Sequence, residues 1–81
     1  MICDHLKILN LAKQGEWDRA HQLIQPYSDQ NSCLIHAYLH RIEGDLSSAQ
    51  YWYNRAELSM PENTLEQELE RLYLLVDDTN K

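Results

Sequence analysis

The chain has 81 residues, with thirteen acids against seven bases and a formal net charge of −6; at that length it makes one domain, and folding buries only about 60% of the surface the unfolded chain exposes, so a thin core is expected. No cluster of Lys and Arg is present to displace counterions from a phosphate backbone, which argues against nucleic acid as a direct partner. No run approaches 18 apolar residues, and the start MICDHLKILN has no basic segment ahead of an apolar one, so neither a membrane span nor a signal peptide is expected.

Cys3 and Cys33 are too few and too far apart for a disulfide framework or a metal knuckle, which points to reduced thiols and a cytoplasmic protein. With 43% hydrophobic residues, two Gly and two Pro, long regular elements with few breaks are expected. Ile2, Leu6, Leu9 and Lys13, with Ile8 and Ala12, keep helical spacing up to Gly15, a residue suited to the end of a helix. Trp17, Ala20, Leu23 and Ile24 predict a short second helix, with Glu16 and Asp18 at its start and Pro26 closing it.

After a polar loop over Tyr27 to Asn31, Ser32 is placed to cap a third helix through Glu43, stopped by Gly44. Ile35, Tyr38, Leu39 and Ile42 on one side, with Cys33 and Ala37 on another, make this helix apolar over more than half its circumference, so it belongs in the middle of the fold. Asp45 is an N-cap for a fourth helix with the stripe Leu46, Ala49, Tyr53, Ala56, which should pack on the third. Met60 to Asn63 read as a turn, and Thr64 with Gln67 makes a capping-box start for a fifth helix. Its expected inner face is Leu65, Leu69, Leu72 and Val76 with Tyr73 beside them, leaving Glu66, Glu68 and Glu70 outside. Strand signals are absent.

Aligning Gly15 and Ala20 with Gly44 and Ala49 gives a repeat offset by 29 residues, each unit being a helix, a glycine corner and a second helix. Gly44, Ala49, Tyr53, Ala56 and Pro61 resemble the second half of a tetratricopeptide repeat, with its alanine, its aromatic four residues on and its closing proline. The first unit is degenerate, since Pro26 arrives early. The strings GEWDRAH and HAYLHRIEGDLSSAQYWYNRA also resemble a group of short uncharacterised bacterial proteins carrying HAYLHR, EGD and YWY at these spacings, a group with no assigned activity. The expected fold is all-α: one domain over residues 1–81, with hairpins over about 2–25 and 32–58 and a capping helix over about 64–77. The repeat resemblance implies a concave surface from the first helix of each hairpin, formed by Ile2, His5, Leu9 and Lys13 with Leu34, Tyr38 and Arg41.

His36 and His40 have the i, i+4 spacing with which a helix offers two imidazoles to one metal ion, with His21 and Cys33 as further donors. Position 37 is Ala, so the glutamate of a HExxH arrangement is missing. The alternative is that both rings pack between the third and fourth helices, each with a nitrogen bonded to a carboxylate or tyrosine hydroxyl. Glu43 can pair with Arg41, Arg55 or a histidine, and Asp45 has a capping role, so neither is needed for acid–base work. Tyr51, Trp52 and Tyr53 span about 200° of helix, so Tyr53 takes the hairpin core while Tyr51 and Trp52 point toward the fifth helix, a groove or another molecule.

No nucleophile, phosphate cradle or cofactor motif is recognisable, so an enzyme is not expected. The reading is a small interaction or adaptor module that docks a protein or peptide partner on Tyr38, His40, Arg41, Glu43, Tyr51, Trp52 and Arg55. The alternative is metal or small-molecule binding at His21, His36, His40 and Glu43. A homodimer through the fifth helix or the exposed side of the fourth is also expected, because Leu72 to Val76 is apolar over too wide an arc for one inner stripe.

Overall fold

Three helices start on an aspartate. A computed structural model describes residues 3–79, and side chains through Asp77; Ile2, expected in the first helix, lies outside the described residues. Asp4 precedes α1 (His5–Lys13) and its Oδ1 accepts the Lys7 N–H at 3.1 Å. Asp29 does the same for α3 (Gln30–Ile42), accepting the Ser32 N–H at 3.1 Å, and Asp45 for α4 (Leu46–Arg55), accepting the Ser48 N–H at 3.2 Å. The expected cap at Ser32 is therefore displaced by three residues: Asp29 holds both the Ser32 amide and its hydroxyl, the latter at 2.6 Å, because a carboxylate accepts more strongly than a hydroxyl. Thr64 and Gln67 form the capping box of α5 (Leu65–Thr79), bonding reciprocally at 2.9 and 3.1 Å.

The hairpin corners follow from left-handed backbone. Gly15, at φ +85°, donates to the Ala12 carbonyl while Glu16 donates to Leu11, closing α1 and opening α2 (Trp17–Ile24). Gly44, at φ +82°, repeats this with Arg41, as Asp45 does with His40. A Cβ at either glycine would meet nothing within 4 Å, so backbone conformation alone requires glycine there. The end of α4 uses the same pair of bonds, from Glu57 to Asn54 and Leu58 to Tyr53, with Glu57 itself at φ +63°.

Eight consecutive α3 residues, Ser32 to Leu39, are buried, and α3 packs against each of the other four helices. The hairpins α1/α2 and α3/α4 stand as expected, and α5 lies across α1 and α3. It closes the predicted concave surface. Leu72 and Val76 are buried, Tyr38 is 5% exposed, and the Tyr73 hydroxyl donates to Asn10 Oδ1 at 2.5 Å. Leu72 and Val76 are spent within the chain, while Leu74 on α5 stays 68% exposed and Leu46 and Tyr51 on α4 stay 56% and 55% exposed on the other surface expected to carry a homodimer.

The inner face of α5 differs from the predicted one. Glu66 and Glu70 are outside, but Glu68 has no exposed surface and Leu65 is exposed. Positions 68, 72 and 76 form one stripe at steps of four, and the carboxylate heads it because four donors await it. Arg71 Nε and Nη2 bind it in bidentate fashion at 2.8 Å each, the Tyr53 hydroxyl donates at 2.5 Å, and Asn63 Nδ2 donates at 3.0 Å. Burial alone would raise the Glu68 pKa, but the bonds from Arg71, Tyr53 and Asn63 outweigh it and hold the carboxyl below its ordinary value. Arg41 completes the network from α3, donating to the Asn63 carbonyl at 2.5 Å and to its side-chain oxygen at 2.8 Å. Removing one partner from a buried, hydrogen-bonded charge costs about 3–5 kcal/mol, with less expected here because Arg71 can rehydrate. Glu68→Ala should therefore lower the unfolding free energy by about 3 kcal/mol in a urea titration followed by circular dichroism, and a loss below about 0.5 kcal/mol would show that the network is dispensable.

Candidate functional site

On a helix, residues two apart lie about 200° apart, so Tyr38, which faces α5, stands opposite both His36 and His40 on α3. The histidines face α2 and α4. His21 of α2 joins them, and the three ring centroids form a near-equilateral triangle with sides of 4.9, 5.2 and 5.1 Å. Two indoles enclose it: Trp52 stacks on His36 at 3.9 Å between centroids, and Trp17 stacks on His21 at 4.6 Å. Trp17 is fixed by donating from Nε1 to the Leu39 carbonyl at 2.7 Å.

The imidazole nitrogens are unequally satisfied. His40 Nδ1 meets Glu43 Oε1 at 2.6 Å; a carboxylate only accepts, so Nδ1 carries the proton and Nε2 of the neutral ring keeps a lone pair. His21 Nδ1 lies 3.4 Å from Gln25 Nε2, while its Nε2 faces His36 Nε2 at 3.2 Å, where one proton must serve two nitrogens. His36 Nδ1 is buried with no hydrogen-bond partner. That ring is 4% exposed. Burial, followed by the positive potential of His21, His40 and Arg55, lowers the His36 pKa to about 4, and burial followed by His40 lowers that of His21. One ligand nitrogen from each of the three histidines lies within 4.8 Å of the others.

Several expected site residues fall elsewhere. Tyr38 is buried at 5% exposure, and Arg41 is half-buried with its guanidinium committed to Asn63 in the turn before α5. Cys33 is buried with its thiol on the Ser28 carbonyl at 3.5 Å, outside the imidazole cluster, and burial raises its pKa. Glu43 chooses the histidine among its three candidate partners. Trp52 packs on His36 rather than toward α5, while Tyr51 is 55% exposed with the Arg55 guanidinium 5.9 Å from its ring and 5.0 Å from that of Trp52. Asp45 lies near His40 and Glu43, but its carboxylate is committed to Ser47 and Ser48 at the start of α4.

Two arrangements escaped the sequence reading. Trp17 belongs to the cluster, and its i, i+4 relation to His21 on one helix was the available signal. His5 Nε2 lies 3.0 Å from both Asp29 Oδ2 and Ser32 Oγ, which brings together the residue types of a hydrolytic triad. The wiring is that of a cap, since the Ser32 hydroxyl has no exposed surface and donates to the aspartate rather than to the imidazole. No protein-family model, curated protein or solved structure matches the chain.

A buried neutral histidine makes stability depend on pH. The unfolded chain binds a proton to this group near pH 6.5, whereas folded His36 takes one only near pH 4, so stability falls as the pH drops between these values. At about 1.4 kcal/mol per unit, the loss is on the order of 2–3 kcal/mol. The carboxylates Asp29 and Glu68, held by their hydrogen bonds below the ordinary carboxylate range, lose their contributions at lower pH. Urea midpoints of metal-free protein should therefore fall steadily from pH 7 to pH 5, and a flat profile there would contradict the burial of a neutral His36.

Proposed function

We propose that this is a small helical binding protein, without catalytic activity of its own, whose ligand site is the imidazole–indole cluster of His21, His36, His40, Trp17 and Trp52 with Glu43 beside it. One observation carries this reading: His36 is buried with one ring nitrogen unpartnered and the other directed at a second imidazole. A Leu at that position would fill the space without desolvation cost, whereas an unsatisfied buried polar group costs about 1–3 kcal/mol. Groups kept against their cost in stability are characteristic of binding sites. The hairpins and glycine corners support a tetratricopeptide-like scaffold, in which α5 occupies the surface that such arrays leave open.

The interaction-module reading keeps one supporting observation. Exposed Tyr51 with Arg55 above its ring offers the aromatic and guanidinium pair that anchors interfaces. It lies on α4 beside the cluster, where the Tyr51 ring meets Trp52 edge-on at 5.2 Å, so Tyr51→Ala removes that anchor while the Trp52–His36 stack itself keeps both of its members.

The stability of His36→Leu separates a binding centre from a structural core residue. In ligand-free protein at pH 7 the substitution should raise the unfolding free energy by roughly 1 kcal/mol, because it removes an unpaired buried nitrogen. An unchanged or lower urea midpoint would mean that the ring serves the fold, and would overturn the proposal.

A further inference from the structure

We infer that the ligand of this cluster is a divalent late first-row transition ion, zinc foremost, bound by one nitrogen each from His21, His36 and His40, with Glu43 orienting His40 from outside the coordination sphere. The inference rests on the reading of the cluster as a binding centre and adds the identity of what it binds. Three imidazoles on one tetrahedral ion, at metal–nitrogen distances of about 2.0–2.1 Å, have ring centres about 5 Å apart and nitrogens about 3.3 Å apart. The three ring centres already stand 4.9, 5.1 and 5.2 Å apart, and the His21 and His36 Nε2 atoms are separated by 3.2 Å. What remains is to turn the His40 nitrogen inward, within a set spanning 4.8 Å.

Proton placement agrees with the geometry. A ligating nitrogen must be unprotonated, and the Glu43 carboxylate fixes the His40 proton on Nδ1, leaving Nε2 as the donor; a carboxylate on the far nitrogen of a ligating histidine is the usual outer partner. With no ion, His21 Nε2 and His36 Nε2 must share one proton between two lone pairs; an ion takes both lone pairs. Gln25 adapts by turning its amide, presenting oxygen rather than nitrogen to a protonated His21 Nδ1.

The donor set selects the class of ion. Nitrogen donors without thiolate suit zinc, nickel, copper and cobalt, whereas calcium and magnesium require oxygen. Both described cysteines lie elsewhere in the core. Three protein ligands leave a fourth position for water or an added ligand, as in sites that remain open rather than purely structural.

The test uses the full chain stripped with a chelator, titrated with Zn2+ against a chromophoric competitor and with Co2+ for its visible absorption. The expected result is saturation at one equivalent, with cobalt bands typical of four-coordination. Affinity should fall at least tenfold in His36→Ala and in His40→Ala, and about tenfold in Glu43→Gln, which keeps the shape but not the carboxylate. His40 sits at the rim of the cluster with 13% of its side chain exposed, so its variant keeps the test open if His36→Ala does not fold. His5→Ala removes the histidine outside the cluster and should change nothing. Failure to saturate at one equivalent, or affinity lost equally in His5→Ala, overturns the inference. If His36→Leu is stabilised and yet no ion binds, the ion is overturned while the binding centre remains for an organic ligand.

Discussion

A single buried carboxylate determines which surfaces this molecule can offer. Glu68 has no exposed area and is held by Arg71, Tyr53 and Asn63, which together return more than the desolvation of its charge removes. Those donors come from different elements: Arg71 from α5 itself, Tyr53 from α4 and Asn63 from the connecting turn, which Arg41 of α3 holds in its place. Satisfying one charge thereby docks the last helix across the first helix of each hairpin. The consequence is functional as well as structural, because the surface that two stacked hairpins would present to a peptide is filled from within the same chain.

The opposite side of α3 is built on other terms. There the helix presents His36 and His40 to His21, with indoles stacked on two of the three rings and one nitrogen left without a partner. The two networks differ in how fully they are satisfied. Around Glu68 every carboxylate oxygen is engaged, and the result is a lock. Around His36 the hydrogen bonding is incomplete: Nδ1 has no partner, and Nε2 shares one proton with His21 Nε2 in a cluster whose three ligand nitrogens lie within 4.8 Å of one another. A small domain with a thin core retains such a cluster at a cost in stability, so its completion by a ligand would couple binding to folding and join α2 to α3.

Much of the architecture was legible in the chain. Apolar steps of three and four, glycines placed where left-handed backbone closes a helix, and Asp45 ahead of α4 define hairpins before any contact is known, whereas the caps at Asp4 and Asp29 were not read from the chain. The orientation of α5 was not legible. Positions 65, 69, 72 and 76 and positions 68, 72 and 76 both keep helical spacing, and hydrophobicity favours the former; only the distant donors Tyr53 and Asn63 favour the latter. The same limit applies to the site. The i, i+4 pair His36 and His40 and the nearby Glu43 are local in sequence and could be read directly. His21 could be named as a further donor, but Trp17 was missed, and both meet the pair because the Gly15 corner folds α2 back and α3 packs against it, a tertiary fact that periodicity does not carry. The burial of Tyr38 and the binding of Arg41 by Asn63 were not legible for the same reason, since the segment that engages them begins more than twenty residues later.

The central claim is that α5 seals one face of α3 while the three histidines on the other face converge on a single ion. A crystal of the zinc-soaked protein, with anomalous diffraction recorded on both sides of the zinc edge, tests it most directly. The account predicts one strong peak bonded to nitrogens of His21, His36 and His40 at about 2.0–2.1 Å, with Glu43 still on His40 Nδ1 and Glu68 still bound by Arg71 and Tyr53. Anomalous peaks only at surface acids or at His5, or an undocked α5 that exposes Tyr38, would contradict it.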